Sequence, residues 1–295
     1  MARGVAGPWR EELSASAYVA GWRLVRRLPE RRARQLFDRI GRRLYRGDGK
    51  SVQRLRANLR RLDVSEADLE RVVETGVRSY LRYWCESFRL PSWPVDDVVA
   101  RTRRVDEQRV RDALARGGVV AVLPHAGNWD WAGTWACQEV APLVSVAERL
   151  KPERLYDEFV AFRESLGMQI LPLGEADTWP RLRTWVAEGG LACLLADRDL
   201  SRHAVTVQLA GHAARFPSGP AQLALETGAA LLPITSHYEG EQMCLVFHPE
   251  IPPSDPQTMT QGVADAFTSA LRAHPEDWHM MQRVFVDDLD PTRAG

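Results

Sequence analysis

The stretch Pro124-His125-Ala126-Gly127-Asn128-Trp129-Asp130 decides how this chain is read. Ahead of it, Gly118-Val119-Val120-Ala121-Val122-Leu123 is a short apolar, β-branched run that predicts a buried strand. Behind it, Trp131, Trp135, Ala136 and Val140 recur at helical spacing, so a helix should open near Asn128, a good N-cap residue. Gly127 supplies the tight turn between them. A histidine thus stands where a strand ends, and a carboxylate five residues on falls in the first turn of the next helix. In an open α/β sheet, ligands bind at the carboxyl ends of the strands. A carboxylate that holds one imidazole nitrogen there leaves the other free to take a proton. A plainer reading stands beside this one. The helix macrodipole alone favours an acid in a first turn, and a lone histidine often only fills a corner.

With 295 residues, 45% hydrophobic and 26% charged, the chain is globular and holds one large α/β domain or two small ones. Net charge is zero but lopsided: residues 1–61 carry roughly seventeen basic against five acidic side chains, and Lys50 and Lys151 are the only lysines. This basic front reads as amphipathic helices. One over ~11–29 places Leu13, Ala17, Ala20, Leu24 and Leu28 on one side, with Tyr18 and Trp22 beside them. The next, ~30–46, sets Leu36, Phe37, Ile40 and Leu44 against Arg34, Arg39, Arg42, Arg43 and Arg46. Two more follow over ~51–62 and ~66–88. Such helices bind nucleic acid, an anionic membrane, or only their own core. The aromatics favour a membrane surface, and no helix-turn-helix, RNP or zinc-finger pattern supports nucleic acid. No apolar run reaches the ~18–20 residues of a membrane span, and the amino end has no signal-peptide core. Cys85, Cys137, Cys193 and Cys244 stand apart, as free thiols of a reducing compartment do.

From Val105 the pattern alternates. Helices are predicted over ~105–116, ~152–166, ~178–188, ~218–227 and ~257–273. Strands are predicted at 143–146, 168–171, 191–196, 204–209, 231–237 and 243–247. The expected fold is α/β: a central, mostly parallel sheet flanked by helices on both faces (about 105–285), after an amphipathic helical amino-terminal region (about 1–95).

Further ionisable residues fall on the same rim as His125. Asp197-Arg198-Asp199 follows one strand and Glu148-Arg149 another, although loops are polar anyway and either aspartate can simply cap a turn. Arg163 lies within a helix, where an ordinary surface charge would also sit. Phe216-Pro217-Ser218-Gly219-Pro220 opens a helix with Ser218 as its cap, and the N–H groups of such a start can hold an anion or a developing oxyanion. There is no GxSxG elbow, P-loop or HExxH. The remaining histidines, His237 and His274 among them, show no ligand spacing, so no metal centre is expected.

His125 to Asp130 is an HxxxxD motif in an H-x-G-N-W-[DE] setting, and it resembles the lauroyl/myristoyl lipid A acyltransferase family within the wider glycerolipid acyltransferase group. Phe216–Pro220, the run from Leu223 to Ala229 with Pro233, and Ser79-Tyr80-Leu81-Arg82-Tyr83-Trp84 are similar to further blocks of that family. Within it, Ala147-Glu148-Arg149-Leu150-Lys151-Pro152, the Phe159–Gly167 segment with Arg163, and Ala196–Ser201 resemble the actinobacterial phosphatidylinositol mannoside acyltransferases. Asp199 departs from their pattern, which has a glutamate there, and its reach is one methylene shorter.

The resemblance implies one acyltransferase domain over 1–295 with no bound cofactor. It implies acyl-CoA as co-substrate and a phosphatidylinositol mannoside as acceptor. The acyl group would go to the 6-hydroxyl of a mannose on the cytoplasmic face of the membrane. Lipid A or another glycolipid as acceptor, and a non-enzymatic membrane- or nucleic-acid-binding role, are the alternatives. His125 would be the general base and Asp130 the residue that fixes its tautomer, with the sugar hydroxyl attacking the thioester directly. Glu148, Arg149, Arg163, Arg198, Asp199, Ser218 and Gly219 would hold the substrates.

Overall fold

The computed structural model describes residues 21–289 except 150, 200 and 202. Of the first expected helix, residues 21–27 are helical (α1); Leu13, Ala17, Tyr18 and Ala20 lie outside the described residues. The helical front continues with α2 (Glu30–Arg46), α3 (Lys50–Arg60) and α4 (Leu69–Arg89), followed by a short α5 (Val95–Ala100). Strand β1 (Thr102–Val105) leads into α6 (Gln108–Arg116), β2 (Val119–Leu123), α7 (Trp129–Glu139) and β3 (Leu143–Ala147). Then come α8 (Glu153–Glu164), β4 (Met168–Pro172), α9 (Thr178–Ala187), β5 (Leu191–Leu195) and the hairpin β6 (Val205–Leu209) and β7 (His212–Phe216). The chain goes on through α10 (Gly219–Thr227), β8 (Ala230–Glu239), β9 (Gln242–Phe247) and α11 (Pro256–Ala273).

Seven strands form one sheet in the order β1-β9-β8-β2-β5-β3-β4. Strands β8, β2, β5, β3 and β4 run parallel; β9 turns antiparallel to β8, and β1 is parallel to β9. The expected architecture, a mostly parallel sheet flanked by helices, is the observed one. Every residue of β2 is buried, because parallel strands between two helical layers have no wet face and therefore read as unbroken apolar runs. Helices α9, α10 and α11 pack together on one face of the sheet, while α6, α7 and α8 contact β2, β3 and β4. Three elements escape the sequence patterns: α5, β1 and β7. Thr102-Arg103-Arg104-Val105 is a polar strand at the sheet edge, and β7 pairs only with β6, so neither carries the apolar signature of a central strand.

Helix α4 ties the basic front to the sheet. Its face with Val73 and Val77 meets Leu55 and Leu59 of α3, all fully buried. One turn on, it delivers Ser79 and Tyr83 to the region below His125.

Candidate active site

His125 lies two residues beyond the end of β2, in the turn before α7. Gly127 makes that turn with φ +58°, and a Cβ there would come within 2.7–2.8 Å of the Ser236 hydroxyl and backbone. Only glycine fits. Asn128 caps α7 as expected, its side chain accepting the Trp131 N–H at 3.0 Å.

The imidazole is held by Asp197. His125 Nδ1 is 2.5 Å from Asp197 Oδ1, and the His125 backbone N–H donates to Oδ2 at 2.9 Å. The Trp278 indole N–H also donates to Oδ2, at 2.9 Å. Burial alone would raise the pKa of this fully buried carboxyl, but the His125 charge and the three donors hold it below its ordinary value. An ionised Asp197 requires the proton on Nδ1. In the neutral imidazole that leaves Nε2 as the acceptor, with no hydrogen-bond partner among the described residues, on a ring one-third exposed (34%).

The expectation that Asp130 fixes this tautomer is therefore corrected. Asp130 points beneath the turn, where its Oδ1 accepts from Arg163 Nε at 2.8 Å and its Oδ2 from the Tyr83 hydroxyl at 2.9 Å. The reason is register. Parallel β2 and β5 pair Leu123 with Leu195, so the residues two beyond them, His125 and Asp197, emerge side by side. A residue in the first turn of α7 turns inward instead. Burial lowers the Arg163 pKa, but the Asp130 charge outweighs it and holds the guanidinium above its usual value. Burial and the same carboxylate push the Tyr83 phenol well up.

Residues 277–279 strap the turn from the other side. Gly127 N–H donates to the Asp277 carbonyl and His279 N–H to the His125 carbonyl. The Ser79 hydroxyl donates to Asp277 at 2.5 Å and lies 3.1 Å from His279 Nε2. Burial pushes Asp277 up to about 6 although Ser79 and the Tyr238 N–H oppose it. Burial, then the charge on His125, drives His279 down to about 3.

Next to His125, its ring centre 5.4 Å away, Trp129 forms part of the lining of an apolar cavity under α7. Asp130 and Arg163 lie at its polar end, and Val140, Met168 and Leu245 are among its walls.

The other expected site residues are placed unevenly. Arg198 lies beside Asp197, donating to the Arg283 carbonyl at 3.2 Å, and Glu148 is near enough to act on its charge. Arg149 turns away to Glu175, at 2.9 Å. Asp199 is taken up by Ser201, bonding its N–H and hydroxyl at 2.7 and 3.0 Å, so it shapes its own loop as the plainer reading has it. Ser218 precedes α10 but makes no side-chain cap, a second correction, and Gly219 faces Trp179 on α9. Asp197 is legible only as one of two loop aspartates, and Tyr83 only as part of a family-like helix with no role assigned; Trp278 and His279 carry no signal, since each arrives from a distant part of the chain.

An imidazole at a strand end, oriented by a buried acid beside an apolar cavity, is an arrangement suited to general-base chemistry on an apolar substrate. The chain belongs to the bacterial lipid A biosynthesis acyltransferase family, whose model matches residues 10–286. It is 41% identical over 295 residues to the phosphatidylinositol mannoside acyltransferase of Mycolicibacterium smegmatis, covering 98% of this chain and 96% of that protein. To the proteins of the same name from two strains of Mycobacterium tuberculosis it is 42% identical over 288 residues, 95% of this chain and 90% of theirs.

Proposed function

We propose that this chain transfers a long-chain, palmitoyl-like acyl group from acyl-CoA to the 6-hydroxyl of a mannose on a phosphatidylinositol mannoside, at the cytoplasmic face of the membrane. The observation that carries the reading is the free Nε2 of His125, its Nδ1 fixed by buried Asp197, next to the apolar cavity. His125 takes the proton of the sugar hydroxyl as that oxygen attacks the thioester carbonyl, a role worth typically 10²–10⁴-fold. Asp197 steadies the imidazolium that forms. The tetrahedral adduct collapses with loss of CoA thiolate, and the proton passes from His125 to the departing sulfur. No covalent acyl-enzyme is needed.

The cavity takes the start of the acyl chain. Its volume is about 70 Å³. Arg198, next to Asp197 in the chain, and Glu148, whose charge acts on Arg198, are the groups best placed to meet the sugar.

The membrane-facing surface is α2. Leu36, Ile40 and Leu44, four residues apart, are 42%, 38% and 49% exposed, and exposed Arg39, Arg43 and Arg46 stand among them. Among the described residues no helix is long and apolar enough to cross a membrane.

Radiolabelled acyl-CoA offered with a phosphatidylinositol mannoside, lipid A and a neutral glycolipid tests the reading. Label should appear on the mannoside, and His125→Ala should abolish it while leaving the fold intact. Preference for another acceptor, or undiminished transfer by the variant, would end it.

A further inference from the structure

Away from the catalytic turn, the β8–β9 hairpin gathers three donors. One ligand atom each from His237, Glu239 and Cys244 lies within 4.8 Å of the others. Strand pairing does this: His237 stands opposite Cys244, and Glu239, two residues along β8, projects from the same face. His237 and Cys244 are buried, while Glu239 is half-buried and opens toward solvent.

We propose that His237, Glu239 and Cys244 form a binding site for a divalent cation of the zinc type. Imidazole, thiolate and one carboxylate suit Zn(II) and not Mg(II) or Ca(II), which prefer oxygen donors throughout. Three protein ligands leave the fourth tetrahedral position to water. The pocket already attracts a cation. Arg103 of β1 bonds Glu239 at 2.5 Å and lies 3.9 Å from the Cys244 sulfur, yet its side chain is 53% exposed. Metal and guanidinium compete for the same donors, and Arg103 swings to solvent when the metal enters.

The His237 ring is held in plane by the parallel His274 ring, centroids 3.6 Å apart. On binding, the Cys244 S–H gives its proton to solvent and an S–metal bond forms, with no change of oxidation state. The site braces β8 one residue from Ser236, whose hydroxyl donates to the Ala126 carbonyl in the catalytic turn at 2.7 Å. The metal is thus a brace for that turn and takes no part in the reaction.

The test uses the full chain, stripped of metal with a chelator and titrated with cobalt(II), then zinc(II). One equivalent of cobalt should give a thiolate-to-cobalt charge-transfer band that zinc quenches, and zinc should raise the melting temperature. Cys244→Ser and His237→Gln should lose the band. Arg103→Gln, which removes the competitor, should tighten cobalt binding on the order of tenfold, and Glu239→Gln should weaken it by a similar factor. A band that persists in Cys244→Ser overturns the site, as does its absence from both the wild type and Arg103→Gln. If Cys244→Ser does not fold, the opposite shifts of Arg103→Gln and Glu239→Gln decide. These readouts do not depend on acyl transfer.

Discussion

Replacing Asp197 with asparagine should stop transfer without disturbing the fold. The carboxylate has two unequal oxygens: Oδ2 receives the His125 backbone N–H and the Trp278 indole N–H, and Oδ1 faces His125 Nδ1. Asparagine has one acceptor oxygen, and the two fixed donors draw it to the Oδ2 position. Its amide NH₂ must then face Nδ1, where it donates. The imidazole responds by moving its proton to Nε2, and the base is gone. In serine proteases the equivalent exchange lowers kcat by about 10⁴, or roughly 5.5 kcal/mol at 1.36 kcal/mol per decade. The same fall is expected here, with KM for the acyl donor little changed because no substrate contact is lost. Steady-state kinetics with radiolabelled acyl-CoA, alongside a thermal melt, measures both. Activity within tenfold of wild type in a folded Asp197→Asn protein would refute the assignment of the imidazole's partner.

Asp130→Asn should behave differently, leaving Arg163 as a buried charge without its counter-ion and costing about 3 kcal/mol of stability. Its pH–rate profile should keep the wild-type shape, and loss of the profile at unchanged stability would return Asp130 to the imidazole. Asp277, raised from 3.8 to about 6 in the folded chain, favours the folded state when protonated. Its contribution is fully present below about pH 4 and lost as pH rises through 6, a loss on the order of 2–3 kcal/mol. His279, lowered from 6.5 to about 3, has the opposite slope, destabilising as pH falls below 6.5. The difference between proteins is therefore the readout: Asp277→Asn should match wild type near pH 4 and melt higher at pH 7.5. A gap that does not grow with pH contradicts this. Replacing Leu36, Ile40 and Leu44 together with serine should weaken binding to anionic vesicles about 100-fold, at roughly 1 kcal/mol per partly exposed side chain. Unchanged co-sedimentation would take α2 off the membrane.

Sequence by itself determined the strand, the turn and the helix around His125. Each rests on local rules: an unbroken apolar run for a strand buried on both faces, a glycine at positive φ, an asparagine cap. It also determined the alternation that builds a parallel sheet and the polar character of its rim. Which acid holds the imidazole was decided only in three dimensions. Asp130 is near His125 along the chain but points inward from the first turn of α7, whereas Asp197, seventy-two residues on, is brought beside it by the β2–β5 register. The same holds for Arg163 and Tyr83 on Asp130, for the strap at Trp278, and for the gathering of His237, Glu239 and Cys244 across one hairpin. Periodicity dictates what a backbone does over a few residues. Contacts between side chains depend on strand order and register, which only the packed core fixes.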